Sequence, residues 1–157
     1  MHDHFLQFIR LLNEEGAEYV VIGGFAVAKH GHPRYTGDLD ILVSGTPENA
    51  EKLVMVMLRF GFTPYDFDVD DFLGYERFVS IGDEPYKIEI ITRTMGVTFE
   101  EAYTNRIQVL NQGVQIDFIG YSQLIANKLA VGRSKDIQDV EALKQHRSQA
   151  DDIGDVQ

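Results

Sequence analysis

Two aspartates separated by a single residue, Asp38 and Asp40, are the residues of this sequence whose types and spacing point most directly to chemistry. They begin an apolar run that ends at Val43 and predicts a β-strand, in which alternate side chains share a face. Both carboxylates therefore project from one face, within reach of a shared cation. A hard divalent ion such as Mg²⁺ takes oxygen ligands and accepts substrate phosphates, so the pair suits phosphoryl transfer. Most isolated Asp-x-Asp pairs, however, are only the solvated face of a strand.

A pair of glycines, Gly23 and Gly24, lies between a predicted strand over 18–22 and a predicted short helix over 25–30. At such a junction, backbone N–H groups and the helix dipole can meet a triphosphate. A tight turn that needs small residues is the simpler explanation of the glycines alone, because neither a Walker loop nor a Gly-x-Gly-x-x-Gly fingerprint is present. Together with the paired carboxylates, the glycines predict binding of a metal–nucleotide complex.

The elements that must position these residues alternate between helix and strand. Helices are predicted, in chain order, from the apolar positions 5, 8, 9 and 12 to Gly16, over 25–30, from Thr46 to Gly61, after a capping box of Thr98 and Glu101, and over 122–131 and 134–146. Strands are predicted over 18–22, 38–43, 72–81, 86–92, 106–110 and 114–119. An early βα unit followed by antiparallel strands favours one α/β (α+β) domain over 1–147, with a C-terminal helical pair over 122–147 and a disordered acidic tail over 148–157.

Composition excludes several classes of function. The chain has 157 residues, no Cys and a formal net charge of −11. Without cysteine there is no disulfide scaffold, thiolate zinc site, iron–sulfur cluster or thiol nucleophile, which fits a cytoplasmic protein. No apolar run approaches the ~20 residues of a membrane span, so no membrane partner is expected. The acidic excess, −9 of it over residues 37–104, argues against a broad electrostatic footprint on nucleic acid.

The stretch over 21–43 resembles the signature of the polymerase-β-like nucleotidyltransferases: a hydrophobic residue with two glycines, a short helix, then Asp-x-Asp on the next strand. In detail it is similar to the small bacterial nucleotidyltransferases related to the AbiEii abortive-infection toxins. The residues that carry this detail are His30-Gly31, Arg34-x-Thr36 and Asp38-Leu-Asp40. The resemblance implies a single-domain nucleotidyltransferase fold, with a mixed twisted β-sheet flanked by helices.

A second stretch, over 124–143, is similar to the C-terminal helical block of the same group. Its residues at matching positions are Lys128, Arg133, Asp136 and Asp139. The resemblance nominates Lys128, and less directly Arg34 and Arg133, to hold a triphosphate, with Thr36 orienting Arg34 or touching a phosphate. The alternative for Lys128 is a snorkelling surface lysine on an amphipathic helix.

The family pattern calls for a third carboxylate on a neighbouring strand, and Glu89 matches that position. A lone carboxylate in an apolar strand is costly to bury unless a cation or a donor pairs with it. The alternative is a salt bridge to Lys87 or Arg93. Related proteins usually carry Asp there, so Glu89 is a departure from the pattern. Asp117 is a fallback candidate, although an exposed strand residue explains it more simply.

The resemblance therefore implies a Mg²⁺-dependent nucleotidyltransferase, with Mn²⁺ as a possible substitute, in which Asp38, Asp40 and Glu89 are the catalytic metal ligands and Gly23 and Gly24 cradle the triphosphate. The acceptor would be an RNA 3′ end, a protein hydroxyl or a small molecule such as an aminoglycoside. A toxin or antitoxin partner is implied as well.

Two other interpretations remain. One is a nucleotide-binding partner protein of the same fold with little or no turnover, and the other is a structural adaptor that binds no nucleotide. A group of aromatic residues could stack a base, but such a stripe is more often core or rim. These are Tyr65, Phe67, Phe72 and Tyr75.

Overall fold

The computed structural model of the protein describes residues 1–155. Its helices are α1 (Asp3–Glu15), α2 (Gly23–Lys29), α3 (Pro47–Phe60), α4 (Phe99–Thr104), α5 (Tyr121–Val131) and α6 (Ser134–Asp155). Its strands are β1 (Tyr19–Ile22), β2 (Leu39–Val43), β3 (Phe78–Ile81), β4 (Ile88–Ile91), β5 (Ile107–Asn111) and β6 (Val114–Phe118). Within these residues, no helix combines the length and hydrophobicity needed to cross a membrane.

The six strands form one mixed sheet in the order β3-β4-β2-β1-β6-β5. β2 is parallel to β4 and β1 is parallel to β6, whereas the β1–β2, β3–β4 and β5–β6 pairs are antiparallel. The central strands β1 and β2 are almost continuously apolar and buried, as expected of strands covered on both faces. The predicted α/β fold with a mixed sheet flanked by helices is confirmed.

Helices α1, α3 and α4 begin or end at the capping residues that the sequence predicts. Gly16 and Gly61 adopt left-handed conformations and close α1 and α3. The Thr46 side chain accepts the N–H of Asn49 at the start of α3, and Thr98 forms the predicted capping box with Glu101 at the start of α4. These local signals fix the ends of the helices that pack on the sheet.

The strand predicted over 72–81 is wrong in its first half, because only Phe78–Ile81 is strand. A 3₁₀ turn, Val69–Phe72, precedes it, and the Asp68 side chain caps that turn by accepting the N–H of Asp70. Phe72 packs into the core from this turn, and Gly74 then adopts a positive φ of 100°. At least one acidic residue of this segment, Asp68, therefore has a structural role as a turn cap.

The C-terminal end also differs from the prediction. α6 continues through residues 148–155, where the sequence predicts a disordered tail, and residues 156 and 157 lie outside the described part. Before the last turns of this helix, the guanidinium of Arg147 lies over the ring of Tyr121, 4.0 Å from its centroid. This cation–π contact ties α6 to the start of α5 and favours continued helix.

Candidate active site

The two parallel strands β2 and β4 bring the predicted carboxylates together. Asp40 and Glu89 are register partners on these neighbouring strands, and Asp38 stands one residue before β2. All three border one cavity of about 440 Å³, which lies between this part of the sheet and helices α5 and α6. Parallel pairing in this register is therefore what makes three separate acidic positions into one cluster.

Gly23 borders the same cavity and is in close contact with Asp40. A Cβ atom on Gly23 would lie 2.2 Å from Oδ2 of Asp40, and the φ of Gly23 is +68°. Both facts require glycine, since the left-handed conformation disfavours other residues and the space is already filled. Gly24 packs behind it, where a Cβ would lie 2.5 Å from Oγ1 of Thr36. The glycine pair thus lets the start of α2 approach the carboxylates.

The electrostatics of the cluster favour a cation. Burial raises the pKa of Asp40 to about 7, and the neighbouring Glu89 and Asp38 carboxylates raise it further, against the opposing charge of Lys128. Oδ1 of Asp38 is buried, and no described residue donates a hydrogen bond to it. A buried carboxylate oxygen without a partner is costly, and a bound cation would satisfy it.

Glu89, the third carboxylate, forms an ion pair with a neighbouring lysine. Nζ of Lys87 lies 2.9 Å from Oε1 of Glu89, so Glu89 forms the salt bridge that the sequence left open as an alternative. Glu89 nevertheless borders the cavity. Within the described residues, no three Asp, Glu or His side chains are arranged to hold a metal ion by themselves. An ion on Asp38 and Asp40 would need further ligands from substrate and water, as Mg²⁺ usually does.

Lys128 is buried rather than a snorkelling surface residue, so that alternative is wrong. Only 5% of it is exposed, and Nζ lies 3.1 Å from Oδ1 of Asp136 and 3.0 Å from Oδ2 of Asp139. Nε of Arg133 lies 2.8 Å from Asp136. Lys128, Arg133 and Asp136 all border the cavity, on the side opposite the carboxylates of the sheet.

Arg34 and Thr36 do not border this cavity. Arg34 makes a two-pronged ion pair with Asp139, with both nitrogen–oxygen distances 3.0 Å. The hydroxyl of Thr36 donates to the backbone carbonyl of Asp38 at 3.3 Å. Both side chains brace the loop before β2, and their role in nucleotide binding stays a prediction.

The fallback candidate Asp117 lies away from the site. It is buried on β6, where Arg106 approaches its Oδ2 to 3.2 Å, and it also accepts from Gln108 and Gln115. The expectation that it is an exposed strand residue is wrong, because β6 is an interior strand whose neighbours cover it. It is a paired structural carboxylate.

Other residues that border the cavity were not singled out as site residues by the sequence pattern. They are Ile22, Phe78, Ile91, Thr94, Asn127, Val131, Lys135 and Asp136. Asp136 could have been found, since it matches the C-terminal block. Phe78 carries no comparable signal, because its position depends on the pairing of β3 with β4.

Two solved structures share the fold. One is a candidate nucleotidyltransferase from Thermotoga maritima, with 17% identity, a TM-score of 0.58, and 92% of this chain and 91% of that chain covered. The other is an antigenic nucleotidyltransferase-like protein from Paracoccidioides brasiliensis, with 17% identity, a TM-score of 0.52, and coverage of 91% and 77%. At this identity the likeness concerns the fold alone.

A comparison with curated proteins gives no match. A family model, in contrast, matches residues 4–148, which include every carboxylate and cation of the cavity described above. The chain belongs to this family, described as "Nucleotidyltransferase of unknown function (DUF6036)".

Proposed function

We propose that this protein is a Mg²⁺-dependent nucleotidyltransferase that moves a nucleoside monophosphate from a nucleoside triphosphate to an acceptor hydroxyl. The observation that carries the proposal is the buried Oδ1 of Asp38, which has no donor among the described residues and lies in a cavity shared with Asp40 and Glu89. Three carboxylates converging on one cavity, in a chain of this family, are best explained by a cation-bound phosphate substrate.

The donor set fits a hard divalent cation. Asp38 and Asp40, assisted by Glu89, would hold Mg²⁺ or Mn²⁺ through oxygen atoms, with substrate phosphates and water completing the ligands. When bound, the ion would offset phosphate charge and lower the pKa of the acceptor hydroxyl. The raised pKa of Asp40, caused by burial and by the adjacent carboxylates, supports this assignment, because a cation would relieve both effects.

The cationic side of the cavity suits the rest of the triphosphate. Lys128 and Arg133 border the cavity opposite the carboxylates, and 68% of the Arg133 side chain is exposed. Arg133 can therefore turn toward a phosphate, whereas Lys128 acts as a fixed buried charge. In the transfer, the acceptor oxygen forms a bond to the α-phosphorus as the bond to pyrophosphate breaks, and the hydroxyl proton is released.

The proposed acceptor is an RNA 3′ end or a protein hydroxyl, in a toxin–antitoxin setting in the cytoplasm. The resemblance of residues 21–43 and 124–143 to the AbiEii-related group supports this setting. The net charge of −11 favours recognition of an RNA end over a long duplex, because few basic residues are available to follow a backbone.

The test is transfer of label from each α-labelled triphosphate, with Mg²⁺, to total tRNA or to lysate protein. The matched variant is Asp38→Ala/Asp40→Ala, whose folding is checked by circular dichroism. Label that appears on RNA or protein with the wild type and not with the variant supports the proposal. Equal labelling by both proteins, or no labelling of any acceptor by the wild type, would contradict it.

A second candidate function is nucleotide binding with little turnover, as in an inactive partner protein. The ion pair between Lys87 and Glu89 favours it, because this pair engages the third carboxylate with a protein cation. Thermal stabilisation by NTP with Mg²⁺, without label on any acceptor, would support binding alone. The absence of stabilisation by any NTP would exclude both candidates.

A further inference from the structure

The cavity has two chemically different ends. Charged groups occupy the first end, around Asp40 and Lys128. The second end is bordered by apolar side chains of three different elements: Phe78 of β3, Ile91 of β4 and Val131 of α5. A ligand with one charged part and one apolar part would match both kinds of wall.

Phe78 is an unusual residue for this wall. It lies on β3, an edge strand of the sheet, where it pairs with Ile91, and 62% of it is exposed. No other aromatic ring of the described residues packs against it. An open aromatic face at a cavity wall is a suitable surface for a flat ligand group to stack on.

The spacing of the two ends matches a nucleotide. Asp40 pairs with Glu89, Ile91 stands two residues further along β4 on the same face, and Phe78 pairs with Ile91. Two strand spacings across the sheet and two residues along it separate the Cα atoms of Asp40 and Phe78 by about 12 Å. These side chains share one face and stand roughly perpendicular to the sheet, so they keep this separation, which is comparable to the length of one nucleotide.

A polar group beside the aromatic wall also suits a base. The amide nitrogen of Asn127 donates to Oγ1 of Thr94 at 2.8 Å and to the carbonyl of Met95 at 2.9 Å. Both amide hydrogens are thereby used, so the side-chain oxygen is the remaining polar group of this cavity-lining residue. Among the described residues, no donor contacts this oxygen, so it can accept from an N–H of a ligand.

We infer that this end of the cavity is the nucleobase subsite, in which the base of the NTP stacks on Phe78. The inference rests on the proposed function, since it assumes that the phosphates bind at the carboxylate end. The inference assigns a binding place to the base, which is the group that distinguishes a nucleotide from a simple polyphosphate.

Calorimetric titration of the full chain with each NTP and with inorganic tripolyphosphate, in Mg²⁺, tests the subsite. Phe78→Ala should weaken NTP binding about tenfold, because the base loses the ring on which it stacks, and should leave tripolyphosphate binding unchanged. Phe78→Tyr keeps the ring and should bind NTP as the wild type does. Tyr65→Ala removes another ring, 98% exposed and outside the cavity wall, and should change neither ligand.

The outcomes separate the two hypotheses. If the wild type binds NTP and Phe78→Ala binds it equally well, the base subsite is overturned and the proposed function stands. If Phe78→Ala weakens NTP and tripolyphosphate alike, the subsite is also overturned, since the residue then acts on the whole cavity. If the wild type binds neither ligand, the proposed function fails first and the subsite with it.

Discussion

Nζ of Lys128 lies 3.0 Å from Oδ2 of Asp139, and both side chains are almost completely buried. Burying two charges is costly unless each finds further partners. Here Asp139 also receives both prongs of Arg34, while Lys128 also contacts Asp136. The resulting network joins the loop before β2 to helices α5 and α6, so that the segment leading to Asp38 is tied to the helices that carry Lys128.

Removal of Asp139 should therefore destabilise the fold markedly. Asp139→Ala leaves Arg34 without its carboxylate and Lys128 with only one, and breaking a buried ion pair of this kind costs about 3–5 kcal/mol. Urea denaturation measures the change. Glu141→Ala, an exposed carboxylate on the same helix, is the control and should stay within roughly 0.5 kcal/mol of the wild type. Equal losses of unfolding free energy in the two variants would show that the ion-pair network does not stabilise the fold.

The stability of the metal-free protein should depend on Asp40 in the opposite sense to an ordinary ion-paired carboxylate. Burial and the adjacent Glu89 and Asp38 raise its pKa to about 7 in the folded state, against about 3.9 when unfolded. Between these values the folded state binds more protons, so this contribution is present at low pH and is lost as pH rises through 7. Asp40→Asn cannot titrate and should lose less stability between pH 5 and pH 8.

Denaturation in chelator at pH 5 and pH 8 checks this difference, which we expect to be on the order of 2 kcal/mol. Comparison of wild type with Asp40→Asn cancels the titrating groups that do not interact with Asp40. With Mg²⁺ and NTP added at pH 8, the wild type should be stabilised and the variant should not. Parallel pH profiles of the two proteins would contradict the assignment of the raised pKa to Asp40.

The close contact of Gly23 with Asp40 can be tested against a glycine of similar backbone conformation. Gly23→Ala meets both a positive φ of 68° and Oδ2 of Asp40, whereas Gly113, with a φ of 80°, has nothing within 4 Å of a Cβ. Gly113→Ala should cost about 1 kcal/mol, the left-handed penalty alone. Gly23→Ala should cost at least ~1 kcal/mol more and, if the proposed function holds, reduce transfer about 100-fold, because it displaces a proposed metal ligand. Similar effects of the two substitutions on transfer would show that the Gly23 contact is not needed.

Local sequence signals predict most of the elements, because they depend on residues close in the chain. Gly16 and Gly61 end helices, and the threonine caps begin them, through contacts within a few positions. The convergence of Asp38 and Asp40 follows from the two-residue repeat of a strand. These features needed no knowledge of long-range packing.

Burial of charged residues could not be predicted in the same way. For Lys128 on α5 the sequence left a surface lysine open as an alternative, and its burial depends on the turn at Gly132 that folds α6 back, so that Asp136 and Asp139 reach it. Asp117 likewise reads as an exposed alternate position, but partners from β5 and the segment before it enclose it. In each case the partners come from another element, and periodicity carries no information about them.

The last prediction concerns the ion pair between Lys87 and Glu89. Nζ and Oε1 are 2.9 Å apart, and both side chains are partly exposed, so solvent screens the pair and it contributes little to stability. Its larger effect is on the cavity, because it engages the third carboxylate with a protein cation. Lys87→Ala frees Glu89 and removes a positive charge, so the Mg²⁺ concentration for half-maximal NTP-dependent stabilisation or transfer should fall about threefold to fivefold.

Titration of Mg²⁺ at fixed NTP, read by thermal shift and by label transfer, measures this concentration. Lys52→Ala makes the same change of charge on α3, where Nζ contacts the carbonyl of Gly16, and should leave it unchanged. A higher Mg²⁺ requirement in Lys87→Ala would mean that Lys87 supports ligand binding directly. Transfer that appears only in Lys87→Ala would identify the Lys87–Glu89 pair as the feature that keeps the wild type a binding protein.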